Sequence, residues 1–371
     1  MQTHKRELAV GLQLQEWSIM GQVKRYFKRF VVFPAIIITL QCLYLLRKAV
    51  EVVISVLHPV RHPTVVRTPE ECFQGLEAVG YNFRPNYVEL PVGGGKMLPR
   101  VHYIDEGPRD ATETILCLHG EPSWSFLYRH MVPGLVRAGY RVVVPDFIGF
   151  GKSDKFTSPE SYSHELHCMT LRLLLDHLRL RDITLVCQDW GGLTGLPVVK
   201  DCSHLFSRLV IMNTGLPVGA SRVGKLIQAI PFLLWRTFSQ LVGTSLPVGR
   251  VFNMALVNPQ PDVVKGYEAP FPSALYKAGA AQWPLLVPLT ANTPVAADMH
   301  ATRDFLAKEW KRPALVMFSD GDPITRGQEK VFLHLMPHAC TKTVRGAKHF
   351  LQEDKGEELT AHIVSFIGDK L

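Results

Sequence analysis

Asp189 stands directly after the apolar run "ITLVCQ" (183–188) and is followed by Trp190, Gly191 and Gly192. A strand that meets a polar residue and then small ones is the sequence form of a sharp strand-to-helix turn with the polar residue at its apex. Cys187 and Gly191, two positions to either side, are small enough to let the backbone close that turn. A serine at such an apex attacks a carbonyl, but no G-x-S-x-G occurs anywhere in the chain. A carboxylate can instead displace a leaving group from a saturated carbon, which leaves an alkyl ester that water must then hydrolyse with the help of a base. The corner therefore points to opening of a carbon–halogen bond or an epoxide. Asp also caps helices, but a cap alone requires neither the small neighbours nor the partners found downstream.

On a nucleophile elbow those partners follow in the chain order nucleophile, acid, His. "FSDGDPIT" offers Asp320 and Asp322, and "VRGAKHFLQED" offers His349. Asp322 is the preferred acid because it lies farther beyond its strand and directly precedes Pro323; Asp320 is the alternative. His349 would take the proton of the attacking water, while the acid fixes its tautomer and stabilises the imidazolium. Any one of the 15 histidines is more often a surface or core residue than a catalyst, so His349 is singled out by its place in the order and by Gly346 and Ala347 before it.

The elements that must hold these residues alternate between strand and helix. "VHYIDEG" (101–107), "TILCLHG" (114–120), "RVVVPDF" (141–147), "ITLVCQD", "RLVIMNT" (208–214) and "PALVMFSDGD" (313–322) are short apolar runs ending in turn residues. Between them lie amphipathic stretches such as Leu166 to Arg179, with Leu171, Leu174, Leu175 and Leu178 at helical spacing. Alternation of this kind predicts an α/β fold, a mostly parallel sheet flanked by helices, whose ligands sit beyond the carboxyl ends of the strands. Residues from about 215 to 300 read as helices broken by prolines and are expected to form a cap inserted after the sixth strand.

Composition narrows the class further. At 47% hydrophobic and 20% charged residues the chain reads as a packed globular protein. Its net charge of +8 is concentrated in residues 1–66, where nine Lys or Arg face three acids; the remainder is nearly neutral and has no basic, aromatic-studded face for nucleic acid. The seven cysteines form no CxxC pair, so no metal, cofactor or disulfide framework is expected. Residues 1–66 read as a basic arm. Its apolar stretch, about 30–57, suggests membrane association by a single-pass helix, a monotopic interfacial helix, or else a helix packed on the domain or on a partner chain. "KRYFKR" on the amino-terminal flank favours a cytosolic amino terminus, in a membrane whose compartment the sequence does not name. Residues 67–371 are expected to form the catalytic domain, and oligomeric state is not legible.

"HGEPSWSFLYR" (119–129), "PDFIGFGKSDK" (145–155), "LVCQDWGG" (185–192), "FSDGDPIT" and "GAKHFLQE" together resemble the haloalkane dehalogenases of the α/β-hydrolase fold, in the subgroup with an Asp-His-Asp triad and two halide-binding tryptophans. The likeness runs from Arg67 nearly to the end and includes "YEAPFPSALYKAG" (267–279). It implies Asp189 as nucleophile, His349 as base and Asp322 as acid. It further implies Trp190 and, through "PFLLWRTFSQ", Trp235 as halide donors, with Phe232 lining the pocket. The backbone N–H groups of Glu121 and Trp190 would form the oxyanion hole, and the substrate would be a small apolar haloalkane. Indole N–H groups suit a departing halide because they donate to its charge without a counter-ion that would retain it. Trp124 and Trp283 read as packing residues, and Glu121, directly after His-Gly, contributes its amide rather than its carboxylate. An epoxide hydrolase is the main alternative, with Tyr267 and Tyr276 as candidate proton donors; a remoter one is an oxygenase on the same scaffold. From another class, the chain could be a catalytically silent, membrane-anchored ligand-binding domain.

Overall fold

In the computed structural model, residues 64–219 and 229–368 are described, together with positions 35, 38, 39, 41–46 and 49. The described residues fall in two compact units. One comprises Met1–Val60 with Arg222–Leu241, and the other Arg61–Ser221 with Val242–Leu371.

The second unit is built on an eight-stranded sheet. In chain order the strands are β1 (Val65–Val66), β2 (Asn86–Val88), β3 (Val101–Glu106), β4 (Thr114–Leu118), β5 (Arg141–Pro145), β6 (Lys155–Phe156), β7 (Ile183–Gln188), β8 (Phe206–Met212), β9 (Ala314–Ser319) and β10 (Cys340–Val344). The sheet order is β10-β9-β8-β7-β4-β5-β3-β2, parallel from β10 to β5, with β3 antiparallel to both its neighbours; β1 and β6 pair separately. β4 and β7 are buried along their whole length, as their unbroken apolar runs require of strands covered on both faces. From β4 the chain moves outward to β5, then returns across β4 to place β7 on its other side. That reversal opens a crevice at the carboxyl ends of β4 and β7, the ordinary ligand position in such sheets.

The helices are α1 (Val132–Arg137), α2 (His164–His177), α3 (Trp190–Asp201), α4 (Ile230–Val242), α5 (Val248–Ala255), α6 (Pro261–Glu268), α7 (Ala278–Leu286), α8 (Pro294–Lys308), α9 (Gln328–Leu335) and α10 (Leu351–Gly368). α2 begins where Ser163 accepts a hydrogen bond from the Leu166 amide, and it buries Leu171, Leu174 and Leu175. Helices α4 to α8 intervene between β8, the sixth strand of the main sheet, and β9.

A buried ion pair ties Arg129, just before α1, to Glu353 of α10, and a hydrogen bond adds Tyr267 of α6. Arg129 contacts Glu353 at 2.5 Å, and the Tyr267 hydroxyl donates to the same carboxylate at 2.5 Å. Burial opposes ionisation of Glu353, yet hydrogen bonds from His130 and Arg129 outweigh it and pull the carboxyl down to about 2. Removing one partner of such a pair leaves a buried charge uncompensated, at a cost of about 3–5 kcal/mol. Glu353→Gln is therefore expected to lower the thermal midpoint by several degrees at neutral pH. Because the folded carboxyl titrates below its ordinary value of 4.5, the stabilisation is present above that value and lost as pH falls toward about 2. Thermal scans of both proteins across that range check this; a gap that persists undiminished at pH 2 would refute it.

The expected membrane association is corrected. Much of the stretch 30–57 lies outside the described residues, and no helix among the described residues is long and apolar enough to cross a membrane. Residues 41–46 are helical, and Gln41 donates to Gln240 of α4 within the first unit at 2.6 Å. An apolar count records hydropathy but not how long a helix the chain forms, which is why the sequence suggested an anchor.

Candidate active site

Asp189 is the one residue between β7 and α3. Its φ of 51° and ψ of −122° are a strained conformation for a side-chain-bearing residue, of the kind a fold retains at functional sites. The turn is possible only because its neighbours lack side chains: a Cβ on Gly191 would lie 2.1 Å from the Leu118 carbonyl oxygen, one on Gly192 2.2 Å from the Thr214 hydroxyl, and one on Gly120 2.5 Å from the Asp189 Cβ. Although it occupies the helix N-cap position, Asp189 makes no side-chain cap hydrogen bond. Its Oδ1 instead accepts the backbone N–H of Glu121 at 2.9 Å, and its Oδ2 lies 3.6 Å from His349 Nε2. One carboxylate oxygen is thus held by an amide while the other faces His349.

His349 lies between β10 and α10, with Nδ1 3.0 Å from Asp322 Oδ2. Asp322 is buried in the loop after β9 and also accepts from the Ile324 amide and from the Thr325 amide and hydroxyl. Burial opposes its charge, but His349 and these donors hold it below the ordinary carboxylate value. Burial likewise opposes an imidazolium at His349, and Asp322 together with Asp189 outweighs it, raising the group to about 10. Asp320 is exposed, and its carboxylate accepts the Gly346 amide instead. Asp322 is the carboxylate brought to the imidazole.

The five described tryptophans differ in what their indole N–H groups do. Trp124 donates to the Gly266 carbonyl at 3.1 Å and Trp283 to His167 at 2.5 Å, while Trp310 is buried without a partner. Trp190 is buried at the corner, and its indole N–H makes no hydrogen bond to another described residue, which leaves it free to donate to a ligand. Its ring stacks on Trp283 with centroids 4.8 Å apart and planes at 29°. Glu121 is buried with one carboxyl oxygen unpartnered; burial first, and then Asp189, pushes its carboxyl well above the carboxylate range, which disfavours its charged form.

Comparison with known proteins places the fold and the family. The family model of the α/β-hydrolase fold matches residues 113–356. A haloalkane dehalogenase of Psychrobacter cryohalolentis is 41% identical over 308 residues, covering 82% of this chain and 98% of that protein; one from Mycobacterium marinum is 40% identical, covering 81% and 99%. The chain belongs to the haloalkane dehalogenase family. The solved structure of a tetrameric haloalkane dehalogenase from Paraglaciecola agarilytica, 34% identical, superposes with a TM-score of 0.74 over 81% of this chain and 97% of that one.

In this dehalogenase-family chain the second unit by itself brings together Asp189, Trp190, Glu121, Asp322 and His349. Phe232 and Trp235 lie on α4 in the first unit, where Trp235 contacts Phe238 with ring centroids 5.9 Å apart. Its indole N–H, like that of Trp190, makes no hydrogen bond to another described residue. Tyr267, a proton donor in the epoxide reading, has its hydroxyl committed to Glu353 and its ring stacked on Phe252.

Two supporting residues carry roles the sequence reading did not assign. Asn213, directly after β8, donates to Ser319 and to the carbonyls of Lys348 and His349 and accepts the Ser319 amide, so it fixes the loop that carries His349. Gln188 lies 3.2 Å from both the His349 ring and its carbonyl, and its side-chain amide donates to that carbonyl. Both follow or end a strand, and position alone could have pointed to them.

Proposed function

We propose that this chain hydrolyses haloalkanes to an alcohol and a halide through a covalent ester on Asp189. The observation that carries the reading is the Asp189 carboxylate itself, with Oδ1 on the Glu121 amide and Oδ2 toward His349. A lone pair of Oδ2 forms a bond to the saturated carbon as the carbon–halogen pair departs on the halide. The uncommitted indole N–H of Trp190, with that of Trp235 as the family resemblance implies, stabilises the charge that develops. Water then adds to the ester carbonyl while His349 takes its proton, and the oxyanion forms on Oδ1 against the Glu121 amide, with the Trp190 amide as the second donor. Collapse releases the alcohol and restores the carboxylate; the proton and halide leave to solvent.

Charge drives the change of role at His349. In the resting site two carboxylates hold it up at about 10. Esterification makes Asp189 neutral, removes one of them, and so releases the ring to act as a base. The test is bromide release from a short 1-bromoalkane by the full-length protein, with an aliphatic epoxide as control. Turnover of the epoxide without halide release from alkyl bromides and iodides would replace this reading with the epoxide one.

Trp190→Phe keeps an aromatic ring against Trp283 and deletes only the donor. Loss of one such donor costs on the order of 10²–10³ in kcat, and a fall of that size is expected here. Trp235→Phe is expected to fall comparably. Chloride release should suffer more than iodide release, since the smaller ion concentrates its charge. Rates within about twofold of wild type would remove that tryptophan from the halide site.

A further inference from the structure

Glu121 presents its backbone N–H to Asp189 Oδ1 at 2.9 Å, and the other end of the same peptide unit is the Gly120 carbonyl. That peptide is planar and trans, so its oxygen and its N–H point in opposite directions, and whatever holds the one aims the other. Three donors converge on the oxygen. The Ser123 amide and the Ser123 hydroxyl both reach it at 2.9 Å, and His119 Nδ1 lies 3.0 Å away. A carbonyl oxygen can only accept, so the Ser123 hydroxyl is the donor and its proton is committed there.

The imidazole is a donor for a separate reason. The Phe147 amide meets His119 Nε2 at 3.1 Å, and an amide N–H can only donate, so the ring lone pair is on Nε2 and the proton on Nδ1, facing Gly120. Burial holds this histidine below its ordinary value, against Asp146, the Gly120 carbonyl and Asp189, and so favours the neutral ring with that single proton. His119 and Ser123 are both fully buried, which keeps solvent from competing for either bond. Donors on a carbonyl oxygen draw electron density out of the amide and strengthen its N–H as a donor, by about 10–30% per bond. The Glu121 N–H is therefore both aimed and polarised from behind.

We propose that Ser123, with His119 beside it, is a positioning residue for hydrolysis of the ester: its hydroxyl aims and polarises the peptide whose N–H receives the oxyanion. This rests on the ester mechanism proposed above. Charge gives the effect a sign in each step. During displacement negative charge leaves Asp189, so a weaker Glu121 N–H costs nothing and slightly favours the reaction. When water adds to the ester carbonyl, charge returns to Oδ1, and the same weakening raises the barrier. Complete loss of an oxyanion donor costs on the order of 10²–10³ in rate; here the donor stays and loses one of three supports, so a fall of about 3- to 10-fold in hydrolysis is expected.

Ser123→Ala removes one oxygen and leaves the Gly120 carbonyl two donors, so the fold is expected to survive, which a thermal scan checks. Full-length wild type and variant are mixed with a short 1-bromoalkane and quenched at intervals, and intact mass spectrometry follows the alkyl-enzyme. In the variant the ester should form at the wild-type rate or slightly faster and decay about 3- to 10-fold more slowly. A residue that only packed the loop would displace Asp189 and slow both steps together. Infrared spectroscopy of the ester trapped in His349→Gln gives a second readout: adding Ser123→Ala should move its carbonyl stretch to higher wavenumber, as a weakened hydrogen bond requires. Equal slowing of both steps, hydrolysis at the wild-type rate, or an unmoved carbonyl stretch would overturn the role of Ser123. Absence of any alkyl-enzyme in His349→Gln is a distinct result, which removes the ester mechanism and the role of Ser123 with it.

Discussion

Replacing Asp189 with Asn is expected to reduce bromide release from a short 1-bromoalkane by at least about 10⁴-fold, to the level of buffer. An amide oxygen in the same place lacks the charge that drives displacement at saturated carbon, and loss of a nucleophile that acts as one unit with its base costs on the order of 10⁶ in other hydrolases. The substitution is conservative in every other respect. Asn is among the residues most tolerant of positive φ, so the strained corner at φ 51° survives it. Its amide oxygen can still accept the Glu121 N–H that now meets Oδ1 at 2.9 Å. Folding is therefore expected to change little, and a thermal scan beside the halide assay separates lost chemistry from lost structure. A folded variant that retains a tenth of wild-type halide release would remove Asp189 from the nucleophile's role.

The corner was legible because its requirements are local. An apex residue with small neighbours is a steric pattern within six residues, and the contacts that a Cβ would make at Gly191 and Gly192 give its physical reason. The central strands were legible for a similar reason: β4 and β7 are buried on both faces and read as unbroken apolar runs. Edge elements were harder. β10, "CTKTV", is exposed except at Val344, and β1 and β6 are two residues each, so none has a burial pattern to read.

Pairwise features were legible only in part. Asp322 could be placed ahead of Asp320 by its distance beyond the strand, but what decides the matter is that one carboxylate meets His349 while the other meets Gly346. Asn213 and Gln188 matter through hydrogen bonds to residues more than a hundred positions away. The same holds for Trp283, which read as packing. It does pack, but its indole is fixed by His167 and its ring supports Trp190. The apolar amino-terminal stretch misled because hydropathy records what a side chain avoids and not how long a helix carries it, and no described helix is long and apolar enough to cross a membrane.

Replacing His349 with Gln separates the two halves of the reaction. Displacement by Asp189 needs no base, whereas hydrolysis of the ester needs one to take a proton from water. The variant is expected to release about one bromide per active site in a rapid burst and then stop, with the alkyl group retained on Asp189. Intact mass spectrometry should find the adduct, and peptide mapping should place it at 189. Gln is chosen because its amide can still donate to Asp322, which is buried and would otherwise lose its imidazole partner. Asp322→Asn serves as the second variant, since it leaves the ring in place but removes the charge that stabilises the imidazolium. In wild type the step governed by His349 should accelerate with rising pH, because the neutral ring is the active form. Its apparent pKa in the alkyl-enzyme should lie below the resting value of about 10, for one of the two anions that raise it has become an ester. Single-turnover quench experiments across pH read that constant directly. Steady turnover by the Gln variant with no adduct, or an alkyl-enzyme pKa at or above about 10, would mean that His349 is not the base that hydrolyses the ester.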